Sequence, residues 1–280
     1  MSITVRKLKT GLGKHEDWIP CSWSPVTGCD RYSMACVHCY ALERFIPWQQ
    51  RLERGRKKKR LKEGKPAPYM KYRNGEKVTM HSRELNDPKH KRNGLEIFVC
   101  SMSDLFHDKV TDKFIHDIFN VMNECPQHNF RLITKRTKRL AAMAPKLKWT
   151  RNIWCGVTIE HPKFIDRADD LRKVPADVRF IYAEPLLGPL GKLNLKGIDT
   201  IIMGGESGPE ARVMEKDWVL EILKMCKKSG TVPFFKQWGD NPLSGPDDRI
   251  NGKRERGGSL ITGKDYKHRL VFKPDMIAAA

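Results

Sequence analysis

The sequence predicts an α/β fold: a partial or full TIM-type (β/α) barrel of parallel strands, with a basic helical and hairpin insertion after a cysteine-bearing loop. Three observations carry this. Short apolar runs alternate with amphipathic helical stretches from about residue 96 to 237, a polar cluster follows each run at once, and a length of 280 residues suits one large α/β core.

In chain order, Trp18 to Gly28 is rich in aromatics and turn formers and reads as a short strand followed by a loop. Helical composition runs from Tyr40 to about Lys62 and ends in Arg51–Lys62, a run with eight basic residues and one acidic. A loop and hairpin-like region follows around Asn74-Gly75. The predicted strands are Glu96–Ser101, Phe130–Thr134, Asn152–Thr158, Val178–Ala183, Thr200–Met203 and Val232–Lys236, with helices near 111–125, 136–144, 163–173 and 215–229. In the first of these helices Phe114, Ile115, Ile118, Phe119 and Met122 recur at helical spacing and predict one buried stripe.

Alternation of this kind implies parallel strands joined by right-handed crossovers, and chemistry in such folds gathers at the C-terminal strand ends. The polar clusters stand there: Ser101-Met102-Ser103-Asp104, Thr134-Lys135-Arg136, Thr158-Ile159-Glu160, Ala183-Glu184-Pro185, Gly204-Gly205-Glu206 and Lys236-Gln237-Trp238. Any one could be an ordinary exposed strand end, but a succession of them points to a site. The expected organisation is a barrel over residues 1–240, with the basic insertion at about 45–93, and a basic, flexible arm over 241–280 that carries Arg249, Lys253, Arg254 and Arg256.

Hydrophobic residues at 39% are enough to bury a core, and 53 basic against 33 acidic side chains leave a formal charge of +20. Such a field concentrates polyanions, nucleic acid first among them, although excess lysine also serves solubility. The first residues, Met1 to Val5, lack a secretory apolar run, and no stretch approaches the roughly 18 apolar residues of a membrane span, so a soluble cytoplasmic protein is expected. Eight cysteines in a reducing compartment read as thiols or metal ligands. Cys21, Cys100, Cys125, Cys155 and Cys226 are scattered, mostly in apolar runs, and are expected in the core.

Cys29, Cys36 and Cys39 are crowded in the pattern C-x6-C-x2-C. Three thiolates on one loop can bind three irons of a 4Fe-4S cube and leave the fourth open. A structural zinc needs a fourth ligand, for which His81, His90 or His107 are candidates, since His38 lies between two of the cysteines rather than at ordinary ligand spacing; a metal-free loop is the third reading.

Here the sequence resembles the radical S-adenosylmethionine superfamily, and within it a phage-associated, three-cysteine family of largely unknown function. The resemblance rests on the cysteine pattern and on ordered segments at Trp23–Cys29, Cys36–Tyr40, Ser101–His107, Leu132–Arg136, Glu184–Pro189, Gly204–Gly208 and Phe234–Gly239, spread over most of residues 18–240. One departure stands out: the superfamily's commonest spacing is C-x3-C-x2-C, and this loop carries three extra residues between its first two cysteines.

The resemblance implies an enzyme whose 4Fe-4S cluster, held by Cys29, Cys36 and Cys39 and reduced by a donor such as a flavodoxin or ferredoxin, cleaves S-adenosylmethionine to a 5'-deoxyadenosyl radical. By resemblance and position, Ser101, Ser103 and Asp104 would hold the ammonium group of that cofactor, Lys135 or Arg136 its carboxylate, and Glu160 or Thr158 its ribose, with His38 beside the adenine. The Gly204-Gly205-Glu206 turn looks like the superfamily's element that approaches the methionyl group, but comes late in the strand count and could face substrate instead. Glu184, Lys236 and Gln237 are candidate substrate contacts, and Cys155 or Tyr182 could donate a hydrogen atom if its side chain points inward; otherwise both are core.

The basic run, with Lys57, Lys58, Lys59 and Arg60 at its centre, would contact phosphates, while Trp48, Tyr69 and Tyr72 could stack on an exposed base. The expected function is modification or rearrangement of a nucleic-acid base. DNA is favoured over RNA, with phage DNA hypermodification foremost and an action in the host cytoplasm if the protein is phage-encoded. The rivals are a zinc-stabilised, non-catalytic nucleic-acid-binding protein and a radical enzyme acting on a small molecule or peptide.

Overall fold

The computed structural model describes residues 21–244 and, outside that span, the strands β1 (Thr4–Lys7), β11 (Leu260–Ile261), β12 (Lys264–Asp265) and β13 (His268–Val271). β1 pairs antiparallel with β13, and β11 with β12. The four arginines and lysines named in the expected C-terminal arm lie outside the described residues.

Seven strands form one parallel sheet: β2 (Cys21–Trp23), β5 (Glu96–Val99), β6 (Asn129–Thr134), β7 (Ile153–Thr158), β8 (Arg179–Ala183), β9 (Thr200–Gly204) and β10 (Val232–Gln237). Their spatial order β10-β9-β8-β7-β6-β5-β2 follows the chain, each new strand being added to the same edge. That is an open, partial TIM-type barrel. The predicted strands are all present; β5 ends two residues early because Cys100 turns the chain with a φ of 56°.

Helices α2 (Asp112–Asn123), α3 (Thr137–Met143), α4 (Arg167–Arg172) and α5 (Lys216–Ser229) fill the crossovers. The Thr111 hydroxyl caps α2 by accepting from the Phe114 amide at 3.2 Å, and the predicted stripe is buried. Each such side chain contributes about 1.5–3 kcal/mol of hydrophobic stabilisation. No helix joins β8 to β9; Leu186, Leu190, Leu193 and Leu195 bury that irregular connection instead.

Strand alternation divides the interior in two. Leu132, Cys155, Val157, Ile181, Met203 and Phe235 belong to the large core with the helices, whereas Trp154, Val178, Phe180, Ile202 and Phe234 form a separate cluster. The two sets occupy alternate strand positions, so the second lines the concave face. Gly156 belongs there: a methyl group on it would stand 2.3 Å from the Phe180 ring.

Residues 24–95 separate β2 from its neighbour β5. Within them β3 (Val26–Thr27) pairs antiparallel with β4 (Thr79–Met80), closing off an excursion that contains the cysteine loop, a π-helical turn (Ala41–Phe45) and α1 (Ile46–Lys62). Among the described residues no helix is long and apolar enough to cross a membrane.

Candidate active site

The cysteine loop lies over the C-terminal ends of the strands, and polar and charged side chains that follow four of those ends hold it. After β5, the Ser103 hydroxyl donates to the Gly28 carbonyl at 2.6 Å, and the two residues form a parallel bridge that extends the sheet to the threshold of Cys29. Gly28 has a φ of 77°, and a side chain there would collide with the Lys77 carbonyl oxygen. After β6, Arg136 pairs with Asp30 and lies over the Tyr32 ring at 4.5 Å. His107 Nδ1 accepts from the Lys109 amide, and its Nε2 lies 3.0 Å from Asp30 Oδ2.

After β7, the fully buried Glu160 accepts from the Ser33 hydroxyl through Oε1 and from Arg167 Nη1 through Oε2 at 2.9 Å. After β9, Glu206 is held by Arg212 through the backbone amide, Nε and Nη2, and Arg212 Nη1 donates to the Met34 carbonyl at 3.0 Å. Asp104 accepts from the Phe106 and Lys135 amides and from the Thr134 hydroxyl at 2.7 Å, tying the end of β5 to that of β6.

These bonds give several predicted cofactor residues another task. Ser103, Asp104, Arg136, Glu160 and Glu206 do gather at the barrel mouth, yet Ser103, Arg136 and Glu160 bind the cysteine loop, Glu206 holds the Arg212 that reaches it, and Asp104 joins the ends of β5 and β6. Ser101 and Lys135 remain half-buried at the mouth; the Ser101 hydroxyl meets that of Ser22 at 2.5 Å. His38 is half-exposed on the loop, and Thr158 is buried, with its carbonyl accepting from Arg167. Arg167, Arg212, Ser33 and Asp30 were not foreseen. The two arginines follow their glutamates by seven and six residues, a spacing that carries no motif.

Cys36 is buried, while Cys29 and Cys39 pack beside the Leu42, Ile46 and Tyr72 cluster. Burial, and secondarily the Asp104 carboxylate, pushes the Cys29 thiol up to about 12, and the nearby Cys36 sulfur acts in the same direction. A metal here must therefore displace a proton. Burial works against the Asp30 charge, but the His107 and Arg136 hydrogen bonds outweigh it and hold the carboxyl below its ordinary value. Among the described residues no group of three or more His, Cys, Asp or Glu side chains is gathered closely enough to hold a single metal ion. The proposed fourth zinc ligands are engaged or exposed: His81 bonds Thr27 and Tyr69, His107 bonds Asp30, and His90 faces solvent. Three soft sulfur donors on one braced loop fit an iron–sulfur cluster.

A second polar group occupies the top of the concave face. Lys236 Nζ lies 2.9 and 3.1 Å from the two Glu184 oxygens and 3.3 Å from the Tyr182 hydroxyl, and Gln237 Nε2 donates to the Gly205 carbonyl at 2.8 Å. Burial opposes the Lys236 charge, but Glu184 outweighs it and the ammonium keeps its proton above the ordinary lysine range. Burial, then Glu184, pushes the Tyr182 phenol up. Gly204 leaves room for the Glu184 carboxylate, and Gly205 lets the Trp238 backbone approach where a methyl group would stand 2.1 Å from its oxygen. Cys155 is corrected: it lies in the outer core under the helices, because Trp154 and Gly156 take the inward positions beside it. The other scattered cysteines are core or pack against it, as expected.

Along α1, Lys57, Lys58 and Lys59 are exposed and Arg60 is half-buried, its Nε donating to the Pro66 carbonyl. Trp48 and Tyr69 are exposed, but Tyr72 is buried edge-on against Phe45 at 5.6 Å and cannot stack on a base.

Among known families, the one described as Protein of unknown function (DUF5131) matches residues 14–269. No curated protein matches the chain. Among solved structures, a point variant of spore photoproduct lyase is similar at 10% identity over 82% of this chain and 80% of that one, with a TM-score of 0.48. Spore photoproduct lyase complexed with dinucleoside spore photoproduct is similar at 11% identity over 78% and 64% of the two chains, with a TM-score of 0.42.

Proposed function

The chain belongs to DUF5131, a family of proteins of unknown function, and on that premise we propose that it is a radical S-adenosylmethionine enzyme that modifies or rearranges a nucleic-acid base, DNA before RNA. One observation carries the reading: the ends of β5, β6, β7 and β9 hold a three-cysteine loop over the mouth of a parallel half-barrel, opposite a separate Glu184–Lys236 group. A structural zinc loop would need neither the open mouth nor the second group.

In this reading Cys29, Cys36 and Cys39 hold a 4Fe-4S cluster, reduced by a flavodoxin- or ferredoxin-type donor. The cluster and S-adenosylmethionine together supply a 5'-deoxyadenosyl radical able to take hydrogen from an unactivated carbon. Lys135 and Ser101, with His38, are the side chains that meet the cofactor, since Arg136 and Glu160 bind the loop, Glu206 holds the Arg212 that does, and Asp104 is committed to joining the ends of β5 and β6. Lys236 and Gln237 orient substrate oxygen or ring nitrogen atoms as donors, while Glu184 holds the Lys236 ammonium in place. Tyr182 keeps its phenolic proton at neutral pH and is the nominated hydrogen donor on the concave face.

Anaerobic reconstitution tests the reading. About four irons per chain and 5'-deoxyadenosine release are expected, both lost in a Cys29→Ala, Cys36→Ala, Cys39→Ala variant. Protein that stays colourless with iron and sulfide, or binds one zinc and releases no 5'-deoxyadenosine, refutes it.

A further inference from the structure

Exposed apolar side chains are unevenly distributed. Among the described residues every exposed large hydrophobic except Leu243 lies between Tyr32 and Met80, in the cysteine loop and the excursion behind it. Four of them are aromatic: Tyr32, Tyr40, Trp48 and Tyr69 leave 44 to 51% of their surface in water. A core-forming chain has no use for such rings outside.

Two of these rings, Tyr40 and Trp48, are joined beside the site by a third, Phe45. The Ala41–Phe45 segment is a π-helical turn, in which residues five apart share a face, so Tyr40, next to Cys39, sits beside Phe45 with centroids 6.5 Å apart. Phe45 in turn meets Trp48 at 6.1 Å. An aromatic strip therefore leads from the third cysteine to the start of α1. α1 itself is 17 residues long, about 25 Å. It is anchored where the buried Glu53 carboxylate accepts from the Tyr72 amide at 3.1 and 3.2 Å. Past Glu53 it stands in solvent: Arg54, Arg56 and Lys57 to Lys59 are exposed, and a methyl group on Gly55 would touch nothing.

Resting on the reading of the site given above, we propose that the strip and α1 form a track for single-stranded nucleic acid, with unpaired bases stacked on Tyr40 and Trp48 and phosphates on the basic end of α1. Phosphate contacts alone would serve a duplex equally well; the rings discriminate, because in a duplex the base faces are covered by their neighbours. The track delivers a base already out of its helix to the barrel mouth, which removes the unstacking cost that a duplex substrate imposes.

Fluorescence anisotropy of the full chain with a labelled single strand and its duplex tests this without a loaded cofactor. Single-stranded binding at least about tenfold tighter than duplex binding is expected, with Trp48→Ala and Tyr40→Ala each weakening it about tenfold and Trp48→Phe restoring most of the loss. Replacing Lys57, Lys58 and Lys59 together by alanine should reduce the slope of log affinity against log salt by about 2. Thermal unfolding of each variant at the wild-type temperature confirms that its fold is kept. Equal or tighter duplex binding, or aromatic variants that bind like wild type, overturns the track and leaves the base-modifying reading standing. Failure to bind any single strand, duplex or RNA overturns both.

Discussion

Replacing Glu160 by glutamine should destabilise the protein by about 3 kcal/mol and loosen the cysteine loop. The Glu160 side chain is fully buried and that of Arg167 nearly so, 2.9 Å apart. Breaking one partner of such a pair costs about 3–5 kcal/mol, because the other charge stays buried without compensation. The lower figure applies here, since Arg167 would keep its bond to the Thr158 carbonyl and its position 4.1 Å from the Phe164 ring. Urea unfolding of iron-free protein measures the loss as a fall in midpoint at unchanged slope. The same substitution weakens the acceptor of the Ser33 hydroxyl, so the buried Cys36 should be alkylated faster, a readout that ordinary destabilisation at a distant site would not move before global unfolding. Replacing Arg167 by methionine in the Glu160→Gln background should recover most of the loss. A cost under about 1 kcal/mol, or a double variant as damaged as the sum of its singles, would refute the clamp as the cause.

Other outcomes follow from single contacts. Gly156→Ala drives a methyl group into the Phe180 ring on the concave face and should cost about 1–3 kcal/mol in the same urea assay, whereas alanine at Gly55, which is open and lies within α1, should carry no such cost. Burial, helped by Lys71, depresses the His81 pKa to about 4, below its ordinary 6.5, so the folded state favours the neutral ring. That contribution is full above pH 6.5 and is lost as pH falls toward 4; the urea midpoint should reflect roughly 2 kcal/mol over that window, and His81→Gln should flatten the acid limb. Lys236→Ala should leave 5'-deoxyadenosine release from loaded enzyme within about threefold while cutting modified product by about tenfold or more. Equal loss of both would place Lys236 with the cofactor instead.

Much of the barrel was legible because its signals are periodic. The α2 stripe and the β6 to β10 runs follow the helical and strand periods, and the structure keeps them within a residue or two at most ends. The inward or outward sense of Cys155 was not legible, since β7 is buried on both faces and an unbroken apolar run gives no alternation to read. Tyr72 was misread for a related reason. Its neighbours in sequence are polar, but its burial comes from Phe45 and Ile46 on the preceding helix, a tertiary contact with no local trace. The polar strand ends were legible as a series, and in the structure several of them meet the cysteine loop. What they converge on depended on Arg167 and Arg212, whose distances from their glutamates in sequence resemble nothing in particular.

The clamp also gives a physical reason for the unusual cysteine spacing. A longer loop between Cys29 and Cys36 costs closure entropy and leaves the first sulfur less well placed unless the added residues are held. Here each residue of the spacer is engaged: Asp30 by Arg136 and His107, Arg31 by Glu43 at 3.1 Å, Tyr32 beneath the Arg136 guanidinium, Ser33 by Glu160, the Met34 carbonyl by Arg212, and Ala35 by burial. The extra length is thus where the barrel grips the loop. Charges that a shorter loop would leave free at the mouth are drawn into fixing sulfur positions; under the function proposed above, Lys135, Ser101 and His38 are the side chains left for a cofactor, with Lys236 across the mouth for a substrate. A spacer with its tethers removed should therefore fail at holding the cluster before it fails at folding, because the tethers lie outside the main core that Trp23, Phe130 and the helices build.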